Sequence, residues 1–303
     1  MENRLQTIMK TLQEKHFPLQ EDRQVESIVE DHECTECKDK GFILYRVHKD
    51  TEWKWDEQKQ MCVPTSKVLE SDYHLGKVCT PDKAWEWHDR FSEKCSCIKQ
   101  RNIEMLLQSS EITESFRQNN FKNFVIQGKD QMIKDAYQCA KEYILDFMDI
   151  QTTRRNSIAL LGQPGAGKTH LLTAISNHLM IDKQVSVLYF PYVEGFDDLK
   201  NDFEKLEGKM ERMKKTYVLF IDDLFKPIGK NRKPRATEWQ IEKIYSLVNY
   251  KYLNNLPILI SSELTIDELE AIDEALGSRI YDMCKDYTVI IRGDKRTLNQ
   301  RLG

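Results

Sequence analysis

The chain has 303 residues, a formal net charge of −4, 40% hydrophobic residues and 31% charged residues. That length holds one full α/β domain plus a smaller accessory domain, and the acidic balance excludes a polycation that grips nucleic acid by bulk charge. No run approaches the roughly 18–20 apolar residues of a membrane span, and Met1 to Lys15 lacks the apolar core of a signal peptide.

In chain order, Leu5, Ile8, Met9 and Leu12 recur at helical spacing until Pro18 interrupts them. That helix either docks on a partner or packs on its own domain. A region rich in Cys, Trp, His and charge runs from Cys34 to Cys97, with short strand-like pieces such as Gly41–Val47. Residues 98–120 are polar, helix-prone and connector-like. From Phe121 onward, strands are expected at Ser157–Leu161, Val185–Phe190, Tyr217–Ile221, Pro257–Ser261 and Thr288–Ile291. Helices are expected after the first strand through Met180, over Phe196–Lys214, over 237–253, and as shorter pieces within Thr265–Lys285. This alternation predicts an α/β fold, a five-stranded parallel sheet with helices on both faces. The division expected is 1–100, a small N-terminal domain; 101–120, a helical linker; and 121–303, the α/β domain.

Residues 162–169, Gly162-Gln163-Pro164-Gly165-Ala166-Gly167-Lys168-Thr169, follow an apolar strand and open a helix. They fit G-x-x-x-x-G-K-[ST], in which glycines let backbone N–H groups converge on phosphate oxygens at a helix N-terminus. Lys168 is expected on the terminal phosphates of ATP and Thr169 on Mg²⁺. Val218-Leu219-Phe220-Ile221-Asp222-Asp223 reads as a buried strand with two acids at its carboxyl end, where ligands bind in open α/β sheets. Asp222 is placed to hold Mg²⁺ and Asp223 to orient or deprotonate an attacking water.

The eight cysteines are read for the cytoplasm, the default compartment, where thiols stay reduced and paired spacings suggest metal before disulfide. Cys34-Thr-Glu-Cys37 and Cys95-Ser-Cys97 are two close pairs of the kind that wrap Zn²⁺ tetrahedrally. Cys62, Cys79, His32, His74 and His88 are spare donors. Cys139 and Cys284 lie on apolar helical faces and read as core residues.

In these motifs the chain resembles the DnaC/DnaI-type bacterial replicative helicase loaders in their phage or prophage form. The likeness is carried by Cys34-Thr-Glu-Cys37-Lys-Asp-Lys-Gly41-Phe-Ile, by Cys95-Ser-Cys97 with the basic helix after it, and by the stretch Phe116 to Phe124. It continues through the glycine loop, Ile221-Asp222-Asp223-Leu224, Pro257-Ile-Leu-Ile-Ser-Ser262 and Gly277-Ser278-Arg279-Ile280. The resemblance implies an AAA+ ATPase behind a zinc-bearing, helicase-docking N-terminal domain, with Cys34, Cys37, Cys95 and Cys97 as zinc ligands. It implies that Arg279 is an arginine finger toward a neighbouring subunit's nucleotide, and that ATP drives self-association. The implied partners are a hexameric replicative helicase and single-stranded DNA, with no membrane. The chain departs from these loaders at Ser261-Ser262-Glu263, where they usually carry Thr-Ser-Asn. Glu263 stands where an Asn would sense the γ-phosphate, and a carboxylate there repels a triphosphate unless a cation intervenes. With Asp-Asp in place of Asp-Glu, this implies a weak ATPase. Arg296 is a further candidate nucleotide contact.

Past the second motif, Lys226, Lys230, Arg232, Lys233 and Arg235 cluster in a segment broken by Pro227 and Pro234. Such a loop either holds a phosphate backbone or is simply solvated. Two other functions fit part of the chain: a transposase-helper ATPase of the IstB type, and a zinc-containing DNA-binding regulator that keeps ATP as a structural ligand. The cysteine region argues against the first, and Asp222, Asp223 and Arg279 against the second.

Overall fold

A computed structural model describes residues 33–74, 86–199, 202–229 and 231–300. The expected helix at Leu5–Leu12, His32, Cys79 and Lys230 lie outside the described residues. Chain contacts divide between Cys97 and Ile98, and each unit is described by itself.

The first unit holds β1 (Phe42–His48), β2 (Trp53–Asp56), β3 (Met61–Pro64), β4 (Val68–Leu69), α1 (Glu70–His74) and β5 (Trp87–Lys94). β1 is the centre of an antiparallel sheet ordered β4–β1–β5, and β2 and β3 form a separate hairpin. The long β1–β5 ladder runs from Phe42 opposite Lys94 to His48 opposite Trp87. It brings the chain just before β1 next to the chain just after β5, where the Cys95 N–H donates to the Gly41 carbonyl at 2.9 Å.

From Ile98 the second unit holds the rest of α2 (Cys97–Ser109) and then α3 (Glu114–Arg117). This stretch is docked: Leu106, Leu107, Ile112 and Phe116 pack into a core cluster, and the Ser110 carbonyl accepts from the Tyr189 N–H. α4 (Gln131–Ile150) follows, capped by Asp130, whose carboxylate accepts from the Met132 N–H. Next come β6 (Ile158–Gly162), α5 (Lys168–Ile181), β7 (Val187–Pro191), α6 (Tyr192–Leu199) and α7 (Phe203–Lys215). The remainder is β8 (Val218–Asp222), α8 (Glu238–Leu253), β9 (Ile258–Ser262), α9 (Ile266–Ile272), α10 (Glu274–Cys284), β10 (Thr288–Ile291) and α11 (Lys295–Leu298).

The five strands make a parallel sheet ordered β10–β6–β9–β8–β7. Both faces are covered, as a parallel sheet requires. Ala159 and Leu161 of β6 join one core cluster while Ile158 and Leu160 join the other. The charged helix expected as one piece over Phe196–Lys214 is two helices. Asp202 caps the second by accepting from the Lys205 N–H, a side-chain competition that an uninterrupted helix would not allow. Among the described residues no helix is long and apolar enough to cross a membrane.

Candidate nucleotide site and cysteine cluster

The order β10–β6–β9–β8–β7 sets the carboxyl ends of β6, β8 and β9 side by side. A cavity of about 900 Å³ opens there, lined by Gly165, Lys168, Thr169, Asp222 and Asp223 among others. The loop between β6 and α5 needs glycine for two separate reasons. Gly165 and Gly167 sit at φ 80° and 81°, in the left-handed region. A Cβ on Gly167 would also lie 2.6 Å from the Phe124 ring. Lys168 is 6% exposed, and its ammonium donates to the Gly162 and Gln163 carbonyls at 2.8 and 2.7 Å. Burial lowers its pKa to about 8, against the pull of Asp223, Glu263 and Asp222.

Asp222 is the hub of the carboxylate side. Its Oδ1 accepts the Thr169 hydroxyl at 2.9 Å and the Ser261 hydroxyl at 2.5 Å, and its Oδ2 accepts the Tyr189 hydroxyl at 3.1 Å. Burial raises its pKa above the usual carboxylate range, while the bonds from Ser261, Thr169 and Tyr189 work against that rise. Asp223 adopts φ 56°, with its N–H on Ser261 Oγ at 2.8 Å. Lys226 closes an ion pair on Asp223 at 2.6 Å. A left-handed aspartate at the end of a strand turns its side chain out of the ladder, here into the cavity. Thr169 and Asp222, in hydrogen-bond contact, supply the hard oxygen donors that Mg²⁺ takes, and the glycine loop with Lys168 suits a polyphosphate. ATP with Mg²⁺ therefore fits the residues present.

Several contributors escaped the sequence reading. Tyr189 lies within β7 and Ser261 near the end of β9, the strands on either side of β8, and only strand order brings them to Asp222. The Phe124 ring packs edge-on against His170 at 5.2 Å, and both line the cavity. The Gln300 N–H returns to the Gly165 carbonyl at 2.9 Å, so the C-terminal segment braces the loop. Arg296 is exposed and does not line the cavity. Arg279, on α10, also stays off the cavity of its own chain. It donates to Asn249 Oδ1 at 2.9 Å and to the Ala275 carbonyl at 2.7 Å, and lies 5.1 Å from the Tyr245 ring centre. Of the basic segment after β8, Lys226 is on Asp223 and Arg232 pairs with Glu263. Cys284 is buried in one core cluster, and Cys139 packs against the other.

In the first unit, the sulfurs of Cys34, Cys37, Cys95 and Cys97 all lie within 4.8 Å of one another. Two separations are 3.7 Å (Cys34–Cys95) and 3.3 Å (Cys37–Cys97). A tetrahedral zinc with thiolates at 2.3 Å sets sulfurs about 3.8 Å apart, so the cluster fits that ion. The knuckle is shaped by its backbone. The Cys34 N–H is tied to Asp39 Oδ1 at 3.0 Å, and the Gly41 N–H donates to Cys37 Sγ at 3.3 Å, the second-shell bond that orients a ligand thiolate. Burial pushes the Cys37 thiol up, but bonds from Cys97, the Gly41 N–H, Cys34 and Cys95 outweigh it and bring the thiol down to about 7. Hydrogen bonding to Cys37 comes first among the causes that push Cys97 well up. Cys62 is exposed on β3, away from the cluster. The side chains of His74 and His88 lie outside the described residues.

Comparison with known proteins settles the family. The bacterial DnaA ATPase domain matches residues 116–283, more than half of the chain. The chain belongs to the DnaA ATPase-domain family. An AAA+ ATPase domain of this family implies nucleotide and Mg²⁺ as ligands. Over nearly its whole length the chain is also similar to two Bacillus subtilis proteins. It is 57% identical to the uncharacterized protein YqaM over 98% of this chain and 95% of that one. It is 48% identical to XkdC of the phage-like element PBSX, over 98% and 97%. Among solved structures, the DnaC helicase loader matches 59% of this chain and all of its own at 19% identity, with a TM-score of 0.50. That likeness is one of fold.

Proposed function

We propose that this protein is an ATP-switched loader that delivers a hexameric replicative DNA helicase to single-stranded DNA. One observation supports the reading: one unit has a cavity whose glycine loop, lysine, threonine and carboxylates fit ATP with Mg²⁺, and the other has a four-thiol cluster. The DnaC helicase loader shares the fold of the first, and the phage-element relative suits a phage or prophage loader in the cytoplasm.

In this reading the loop amides of residues 162–167 and Lys168 hold the phosphates, and Thr169 and Asp222 hold Mg²⁺. The metal would neutralise phosphate charge. Asp223 accepts a proton from, or orients, the attacking water. Lys168 leaves the Gly162 and Gln163 carbonyls for the phosphates, and Lys226 yields Asp223 to the water. Cys34, Cys37, Cys95 and Cys97 hold zinc and shape the helicase-docking module. ATP favours the assembled, DNA-bound state by binding it more tightly, and hydrolysis releases it. The four-thiol cluster weighs against a transposase helper.

The deciding measurement is capture of a purified hexameric helicase by the tagged chain with ATP, with ADP and without nucleotide. Capture that depends on the nucleotide supports the proposal, and no capture in any of the three overturns it. Arg279 tests the assembly. Arg279→Ala should keep ATP binding by the dilute chain and lose about a hundredfold in hydrolysis. Mixed with Lys168→Ala subunits, it should regain part of the activity, since intact loops and intact fingers then meet at shared interfaces. If Arg279→Ala weakens ATP binding by the dilute chain as much as Lys168→Ala does, the arginine acts on its own nucleotide and the assembly model fails.

A further inference from the structure

The nucleotide cavity carries more negative charge than its own lysines balance. Asp222, Asp223, Glu194 and Glu263 line it, and so do Lys168 and Lys226. Lys226 is already engaged on Asp223. A nucleoside triphosphate brings further negative charge, more of it on the terminal phosphate than on either of the others. Asp222 and Asp223 have work to do with Mg²⁺ and water. Glu263 has no such task, and its side chain is only 12% exposed.

Its counter-charge arrives from outside the cavity. Arg232 Nη1 lies 3.5 Å from Glu263 Oε2, and Arg232 Nη2 donates to the Glu263 carbonyl at 3.0 Å. The guanidinium fork thus grips one residue by side chain and backbone together, a contact a lysine does not reproduce. The segment that delivers it is a tight turn. Ile228 and Lys233 exchange backbone hydrogen bonds at 2.9 and 3.1 Å, and the Arg232 N–H returns to the Gly229 carbonyl at 3.2 Å. Arg232 itself sits at φ 50°. A non-glycine residue holds that conformation where surrounding contacts fix it, and here the turn's backbone bonds and the Glu263 contact together hold it. The other side of the pair is equally held. The Ser262 hydroxyl donates to the Leu224 carbonyl at 2.7 Å and accepts from the Leu264 N–H at 3.0 Å, pinning the backbone on both sides of Glu263.

We infer that Arg232 is a specificity-determining residue of the nucleotide site: by neutralising Glu263 from behind, it lets the cavity accept a nucleoside triphosphate in preference to a diphosphate. The inference rests on the nucleotide reading above. Linkage is reciprocal, so a terminal phosphate strengthens the hold of Arg232 on Glu263 in the triphosphate state.

The test is equilibrium binding of fluorescent ATP and ADP analogues, with Mg²⁺, to the full chain and its variants. Arg232→Ala should lose about tenfold in ATP affinity with ADP affinity changed by less than about twofold, because the unpaired carboxylate bears chiefly on the terminal phosphate. Arg232→Lys should lose about threefold, again for ATP alone. The double variant Arg232→Ala/Glu263→Gln should return to within about twofold of the parent for ATP, since the charge needing compensation is gone. Equal losses of ATP and ADP in either single variant overturn the inference, and so does a double variant as weak as Arg232→Ala. If the parent chain binds neither nucleotide, the nucleotide reading itself fails and takes this one with it. A misfolded Arg232→Ala would show as a lowered melting temperature, and Arg232→Lys with the double variant then decides the matter.

Discussion

The two units keep their shape by different means. Among the described side chains of the first unit, the buried ones are Cys37, Val47, Pro64, Phe91 and Cys95. Two of the five are thiols of the cluster. The second unit has a large apolar cluster on each face of its sheet. With so little apolar interior among its described residues, the first unit is expected to draw stability from a ligand or cross-link, whereas a packed sheet stands alone and leaves its strand ends to bind one. The first unit's fold is then expected to depend on its site, whereas in the second the site depends on the fold.

Removing one thiol is the strongest way to break that contrast. Purified protein should carry about one zinc per chain, and Cys34→Ser or Cys97→Ser should lose it, removing on the order of 10 kcal/mol of binding free energy that is also folding free energy. Elemental analysis checks the metal, and circular dichroism with proteolysis checks the first unit. ATP binding should survive. A first unit that stays folded without zinc would erase the difference between the units.

Lys168→Ala comes next. It should weaken ATP binding by about a hundredfold or more, since a charge-assisted contact to the phosphates is lost, and leave the melting temperature nearly unchanged. Calorimetric titration and a thermal melt decide it. A large fall in melting temperature would mean that this site supports its fold as the thiol cluster does.

The smallest effect tests how much charge the second core tolerates. Lys251 is fully buried on α8, with its ammonium on the Thr216 carbonyl. Burial lowers its pKa to about 7. Between about pH 7 and 10 the unfolded chain therefore holds a proton that the folded chain releases, so this residue makes stability rise with pH across that window. Below it the full cost of the buried charge is present. Lys251→Met should gain about 1–2 kcal/mol at pH 6 and nearly nothing at pH 10. Denaturant melts at the two pH values check the sign, and a variant destabilised at pH 6 would show that the Thr216 bond outweighs the burial cost.

What the sequence determined by itself was whatever rests on neighbours along the chain. The alternation of apolar strands with amphipathic helices specifies a doubly covered parallel sheet, because each strand must be apolar on both faces. The glycine loop is legible because its chemistry is complete within eight residues, and Asp222–Asp223 because a strand's end marks the ligand edge. The tight spacing of Cys34 with Cys37, and of Cys95 with Cys97, points to metal for the same local reason. Only the tertiary structure decided what meets across the chain. The β1–β5 ladder brings two cysteine pairs some sixty residues apart into one cluster, and strand order delivers Tyr189 and Ser261 to Asp222. Glu263 reads in the sequence as a repulsive carboxylate in a phosphate site. Its partner Arg232 reads as one more cation in a loop, and their pairing follows from a turn geometry that no residue pattern encodes. Lys251 looks like any lysine on a charged helix, and it is buried because the neighbouring elements leave it no water. Pairings of this kind depend on which surfaces pack together, a property of the whole fold rather than of any stretch of sequence.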